Sequence, residues 1–296
     1  MTASTGFAPF RGHQTWYQIT GDLKSKKLPV VMLHGGPGAA HNYLLSYAGL
    51  SAGGRAVIHY DQLGCGLSTH LSGAPKEFWT PRLFLDELES LTKHLGIADA
   101  YQVVGQSWGG MLGAEHGITQ PKGLKALVIA NSPASMALWL EEANRLRGML
   151  PPEVQATLLK HEAAGTTATE DYEAAVKVFY DRHLCRVPWP PEVAASFAQL
   201  AAEPTVYHTM NGPSEFHVVG SLKTWDINAQ LHKITAPTLL ISGRHDEATP
   251  KIVQQYADGI KHAQWVIFEN SSHLPHVEET ERCLSVVGDF LDQHQS

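Results

Sequence analysis

Residues 101–110 read Tyr101-Gln102-Val103-Val104-Gly105-Gln106-Ser107-Trp108-Gly109-Gly110, and Met111-Leu112-Gly113-Ala114 continues beyond them. An apolar run thus leads into Gly-x-Ser-x-Gly. Between a strand and a helix, such a pentapeptide forms a strained turn that lifts the serine hydroxyl above the end of a parallel sheet. Gly105 and Gly109 leave room where side chains would clash with so sharply folded a backbone. Ordinary glycine-rich punctuation can look the same, so reading Ser107 as a nucleophile depends on partners elsewhere in the chain.

A serine nucleophile needs donors for the oxyanion, a base, and a carboxylate to orient the base. Upstream, Leu28-Pro29-Val30-Val31-Met32-Leu33 has the texture of a strand buried on both faces, and it ends in His34-Gly35-Gly36-Pro37-Gly38. A glycine-rich turn there can aim a backbone N–H at the developing charge while the residue after the nucleophile supplies another. The expected donors are Gly36 and Trp108, with Gly35 competing for the first role. The remaining groups follow in the chain order serine, acid, histidine. Thr238–Gly243 reads as a strand followed by Arg244-His245-Asp246-Glu247, which makes Asp246 the expected acid and Glu247 its rival. Gln264–Phe268 reads as another strand, with His273 in the loop beyond it. His276 is the weaker candidate for the base, because Pro275-His276 begins the next helix. A zinc site of His273, His276 and Glu278 lacks the accompanying His-Glu-x-x-His helix or cysteine pair, so neither metal nor organic cofactor is expected.

Taken together, these motifs resemble the α/β-hydrolase superfamily over nearly the whole chain. Within it, His34-Gly35-Gly36-Pro37-Gly38 and Asp61-Gln62-Leu63-Gly64-Cys65-Gly66-Leu67-Ser68 resemble the proline iminopeptidase family. Many members have arginine where this chain has Leu63. The departure is closer to the branch typified by the tricorn-interacting aminopeptidase, and Gly105-Gln106-Ser107-Trp108-Gly109-Gly110 also resembles the L-amino acid amidases. The resemblance implies a mostly parallel sheet flanked by helices, an inserted helical cap, and a serine enzyme that cleaves the amide after a free N-terminal L-amino acyl group. It further implies that acidic residues hold the substrate ammonium, at positions matching Glu215 and Glu247. A carboxylesterase indifferent to a free amino group, or a hydrolase-fold protein that only binds its ligand, stays open at this stage.

The stretch between Leu127-Val128-Ile129-Ala130-Asn131-Ser132, read as a strand, and Thr238 spans roughly 100 residues, far more than a loop needs. Ala134–Met149 and Asp171–His183 are helical in texture, and Pro151-Pro152, Pro188-Trp189-Pro190-Pro191 and Pro204 divide the stretch into short helices. The expected division is a core of residues 1–133 and 234–296 and a cap of residues 134–233. A cap favours small amides or short peptides as substrates, and Trp139, Trp189, Phe216 and Trp225 are candidate pocket walls. Elsewhere, Arg55–Asp61 reads as a strand and turn, Pro81–Leu95 as an amphipathic helix capped by Thr80, and Val277–His294 as a terminal helix.

The 296 residues carry a net charge of −7, and no basic run exceeds Lys26-Lys27, which argues against a nucleic-acid partner. No segment approaches the roughly 18 apolar residues of a membrane span, and the first residues have no basic and apolar leader texture. The three cysteines, Cys65, Cys185 and Cys283, are scattered and odd in number, as expected of reduced thiols in a cytoplasmic protein.

Overall fold

The computed structural model describes residues 3–295. Eight strands form one sheet: β1 Ala3–Phe10, β2 His13–Thr20, β3 Val30–Leu33, β4 Val57–Tyr60, β5 Tyr101–Gln106, β6 Leu124–Ala130, β7 Thr238–Gly243 and β8 Gln264–Phe268. Their order is β1-β2-β4-β3-β5-β6-β7-β8. β1 pairs antiparallel with β2 and β2 with β4, and every pairing from β4 to β8 is parallel. Every residue of β3, β5 and β7 is buried, which is what continuous apolar runs require of central parallel strands. Alternation divides each run between two cores: Val31, Leu33 and Val103 face one, Val30, Met32 and Val104 the other.

The β1–β2 hairpin has no counterpart in the sequence reading. β1 lies at the sheet edge with four of its first five residues exposed and Gly6 half-buried, so no apolar run marks it. Its two-residue turn is Arg11-Gly12, both at positive φ (49° and 82°), the geometry that matches the twist of a tight hairpin.

Helix α1 (Pro81–His94) ends one residue before the expected limit, and Thr80 Oγ1 accepts from the Leu83 N–H at 3.3 Å. α2 is Trp108–Ile118 and α8 Pro250–Gly259. The expected single terminal helix is instead two, α9 (Pro275–Glu278) and α10 (Thr280–Gln293). At the break, Glu278 accepts from the Ser272 N–H (2.7 Å) and Glu279 from Ser271 Oγ (2.6 Å). The helix is interrupted where its carboxylates turn back to hold the loop that ends in His273.

Residues 134–233 contribute no strand. They form α3 (Met136–Arg147), α4 (Pro152–Ala164), α5 (Glu170–His183), α6 (Pro191–Ala202) and α7 (Thr205–Met210), with short 3₁₀ turns after them. Pro152 and Pro191 open helices, where a missing N–H costs nothing. Leu146, Leu158, Tyr172, Phe179 and Phe216 give this segment an apolar cluster of its own. Its two ends meet: Met136 N–H donates to Trp225 O and Ile227 N–H to Ala134 O, each at 3.0 Å. Among the described residues no helix is long and apolar enough to cross a membrane.

Glu87 of α1 is fully buried beneath the 61–68 turn, accepting from Thr15 Oγ1 at 2.5 Å and from the Leu63 N–H at 2.9 Å. Burial pushes its carboxyl up to about 7, against the pull of those two donors. The folded chain therefore keeps a proton that the unfolded chain releases above about pH 4.5. Stability should fall as pH rises from about 4.5 to about 7, and Glu87→Gln should flatten that part of the profile, as read from urea unfolding midpoints across this range.

Candidate active site

Ser107 stands between β5 and α2 at φ 56°, ψ −125°, outside the regions that L-residues favour. The surrounding glycines show why the strain persists. A Cβ on Gly105 would lie 2.0 Å from Gly109 O, and one on Gly109 would lie 2.0 Å from Leu33 O. The motif therefore sets how closely α2 approaches β5 and β3.

Asp246 follows β7, and its carboxylate is fully buried. One oxygen accepts from His273 Nδ1 (2.7 Å) and the Ala248 N–H (2.8 Å), the other from Asn131 Nδ2 (2.5 Å). With Nδ1 donating to Asp246, the other ring nitrogen, Nε2, carries no proton in the neutral ring. Gln106 Nε2 donates to His273 O at 2.9 Å, tying the histidine to the residue before Ser107, and both Ser107 and His273 line one cavity. Glu247, the rival acid, does not reach Nδ1: its Oε1 lies 3.7 Å from Nε2, on the opposite edge of the ring. His276 is also placed elsewhere. It bonds Tyr43 O at 3.0 Å and stacks on Tyr47, and burial pulls its pKa down to about 3.

Between the two candidate oxyanion donors in the glycine loop, the hydrogen bonds discriminate. Gly35 N–H is engaged with Tyr43 Oη at 2.7 Å, and that hydroxyl donates to Gln106 Oε1 at 2.6 Å. Gly36 lies beside Ser107 in the cleft at φ 108°, where a Cβ would fall 2.4 Å from Gly38 N. Trp108 opens α2, and its N–H is among those a helix cannot pair internally. Its indole Nε1 donates to Gln62 Oε1 (2.8 Å), whose Nε2 donates to His34 O (3.0 Å). His34, pulled down to about 4 by burial, is neutral and accepts the Gln62 N–H at Nε2. One chain of bonds thus fixes the glycine loop, the 61–68 turn and the elbow relative to one another. Asn131, Gln62, Gln106 and Tyr43 were not singled out from sequence. Only Asn131, at φ 53° after β6, carries a local signal, since asparagine tolerates the left-handed region.

Glu215 lines both cavities at Ser107, and Glu247, from another part of the chain, lines neither but lies 3.7 Å from His273 Nε2. Tyr207 Oη donates to Glu215 Oε1, and Trp139 Nε1 to Glu215 O, each at 2.7 Å. Glu247 is buried with neither carboxylate oxygen hydrogen-bonded to any described residue. Burial, then the charges of Glu215 and Asp246, push its carboxyl well above the ordinary range. Glu215 is raised too, by burial, against the Tyr207 hydrogen bond and the charge of His273.

Two cavities meet at Gly36, Ser107 and Glu215. One is walled by Met111, Pro133, Met136, Trp139 and Leu222, and the other extends past His273. Of the four tryptophan and phenylalanine candidates, only Trp139 lines the cleft. Trp189 packs on Phe197, Phe216 belongs to the helical cluster, and Trp225 is held by Glu115 at 2.6 Å.

The family model described as the α/β hydrolase fold matches residues 29–280. A proline iminopeptidase of Clostridium botulinum is 34% identical over 295 residues, covering 99% of this chain and 100% of the relative. The chain belongs to the proline iminopeptidase family of α/β hydrolases. Among solved members, the crystal structure of proline iminopeptidase from Mycobacterium smegmatis is 53% identical with a TM-score of 0.92, covering 99% of both chains. The crystal structure of VinJ is likewise 53% identical, with a TM-score of 0.97 over 98% of this chain and 99% of that one. At such coverage the likeness to these two structures runs through the helices of residues 134–233 as well as the sheet.

Tyr43→Phe would leave the buried Gly35 N–H and Gln106 Oε1 without their partner, a loss of about 1–3 kcal/mol. Thermal unfolding should show a lower Tm than the parent protein by several degrees, and an unchanged Tm would contradict this role for the hydroxyl.

Proposed function

We propose that the chain is a serine aminopeptidase or amidase that removes a free N-terminal L-amino acyl group from a small amide or short peptide through an acyl-enzyme. The observation that carries the reading is Glu247, buried beside the candidate base with both carboxylate oxygens lacking partners, and joined there by Glu215. A buried carboxylate without donors is costly unless a cation completes it. The α-ammonium of an amino acyl substrate is such a cation. The names of the full-length relatives support the same chemistry.

In this reading Ser107 attacks the carbonyl while His273 Nε2 takes its proton, and Asp246 holds the ring in the tautomer that leaves Nε2 free. The N–H groups of Gly36 and Trp108 receive the oxyanion, each worth about 2.7–4 kcal/mol. His273 then protonates the departing amine, and water, activated by the same imidazole, releases the amino acid. The cavity walled by Met111, Met136 and Trp139 takes the acyl side chain. Residues 134–233 act as a cap that admits chain ends and small molecules, with catalysis in the cytoplasm. An esterase indifferent to the amino group would gain nothing from the acid pair.

Ser107→Ala should reduce turnover of L-amino acyl p-nitroanilides to a trace, and residual activity near that of the parent would sink the assignment. Glu247→Gln should lower kcat/KM for these substrates roughly 10- to 100-fold, the value of one charge-assisted hydrogen bond. N-acetylated analogues, poor substrates for the parent, should lose far less. If acetylation makes no difference to the parent enzyme, the ammonium site is misplaced.

A further inference from the structure

The cavity that runs past His273 holds a preference not contained in the acyl-group chemistry. It is walled by Ala39, Leu184, Phe197, Leu200 and Leu274, and no lysine or arginine lines either this cavity or the one adjoining it at Ser107. The acyl pocket and the Trp108 oxyanion donor lie toward the other cavity, whereas His273, which must hand a proton to the departing nitrogen, lies in this one. The leaving amine therefore occupies the Leu184–Phe197–Leu200 side. We infer that this is an apolar leaving-group subsite, selecting amines that carry no carboxylate next to the scissile nitrogen, such as alkylamines, arylamines or amino acid amides, over free amino acids.

The inference rests on the proposed acyl-transfer role of Ser107 and deepens it. When the leaving group is a free amino acid, its carboxylate sits two bonds from the nitrogen that His273 protonates. That places it among leucine and phenylalanine side chains, with Glu215 in the same lining and Glu247 3.7 Å from the imidazole. A carboxylate entering this space gives up hydration and meets no lysine or arginine side chain in exchange. A leaving amine without a carboxylate avoids that cost, and the apolar walls favour its alkyl or aryl body. Phe197 and Leu200 lie on α6 and are only half-buried, so the subsite borders solvent along that helix.

The test uses the full-length enzyme and three substrates with one acyl group: L-alanyl-L-leucine, L-alanyl-L-leucinamide and N-(3-methylbutyl)-L-alaninamide. The last two should exceed the free acid in kcat/KM by tenfold or more at neutral pH, and Leu200→Arg, which supplies a cation at the rim, should narrow the gap by raising the free acid. A wild-type ratio below tenfold, or a gap untouched in a folded Leu200→Arg enzyme, overturns the subsite while leaving the aminopeptidase reading intact. That reading fails separately, if all three compounds resist cleavage while p-nitrophenyl acetate is hydrolysed.

Discussion

The whole site hangs on one close approach, that of α2 to the ends of β3 and β5. It is possible only because Gly105 and Gly109 carry no Cβ: the carbonyl of Gly109 occupies the space a side chain on 105 would need, and that of Leu33 the space of one on 109. From this contact the rest follows. Ser107 is held in a backbone conformation it would not choose alone, Trp108 at the start of α2 lines the cleft, and the end of β3 delivers the glycine loop to the same point. The cost of the strained serine is met by the packing of a sheet buried on both faces.

Around this fixed point the structure treats its buried carboxylates in opposite ways. Asp246 is saturated, with an imidazole, a backbone N–H and the Asn131 amide on its two oxygens. Its neighbour in sequence, Glu247, is equally buried and has none. A one-residue step along the loop after β7 thus separates an acid that orients a histidine from an acid left incomplete. In the proposed mechanism the complete acid is machinery and the incomplete one a receptor for charge brought from outside. Glu142 of α3 holds this loop from the other side, accepting from Thr249 Oγ1 at 2.9 Å and from Lys251 Nζ at 3.3 Å.

The parts of this arrangement legible in the sequence were those with local physical signatures. The runs of β3, β5 and β7 declare themselves because a central parallel strand is apolar on both faces, and the elbow because its glycines are sterically compulsory. Asp246 and His273 were legible from position, each lying just past a strand. Other parts depend on contacts between distant segments and left no trace in composition. The edge hairpin β1–β2 alternates too weakly to stand out. The break at Glu279 is made by hydrogen bonds to residues 270–271, against a helical pattern that runs on unbroken. Gln106 reads as a spacer within the pentapeptide, yet it holds both His273 O and Tyr43 Oη. Its role exists only once the chain has folded back on itself.

The pairing of Met136 with Trp225 and of Ala134 with Ile227 closes the helical segment at its base. A segment that leaves and rejoins the sheet at a single point is mechanically decoupled from the spacing of the strands. The end of α5 is nonetheless tied to the loops after β7 and β8, where His183 O accepts from the Glu247 N–H and Leu184 O from the His273 N–H, each at 3.1 Å. Natural variation, and any deliberate grafting, can thereby rewrite the walls of the chamber without moving the strands, provided that these two bonds at its floor are kept.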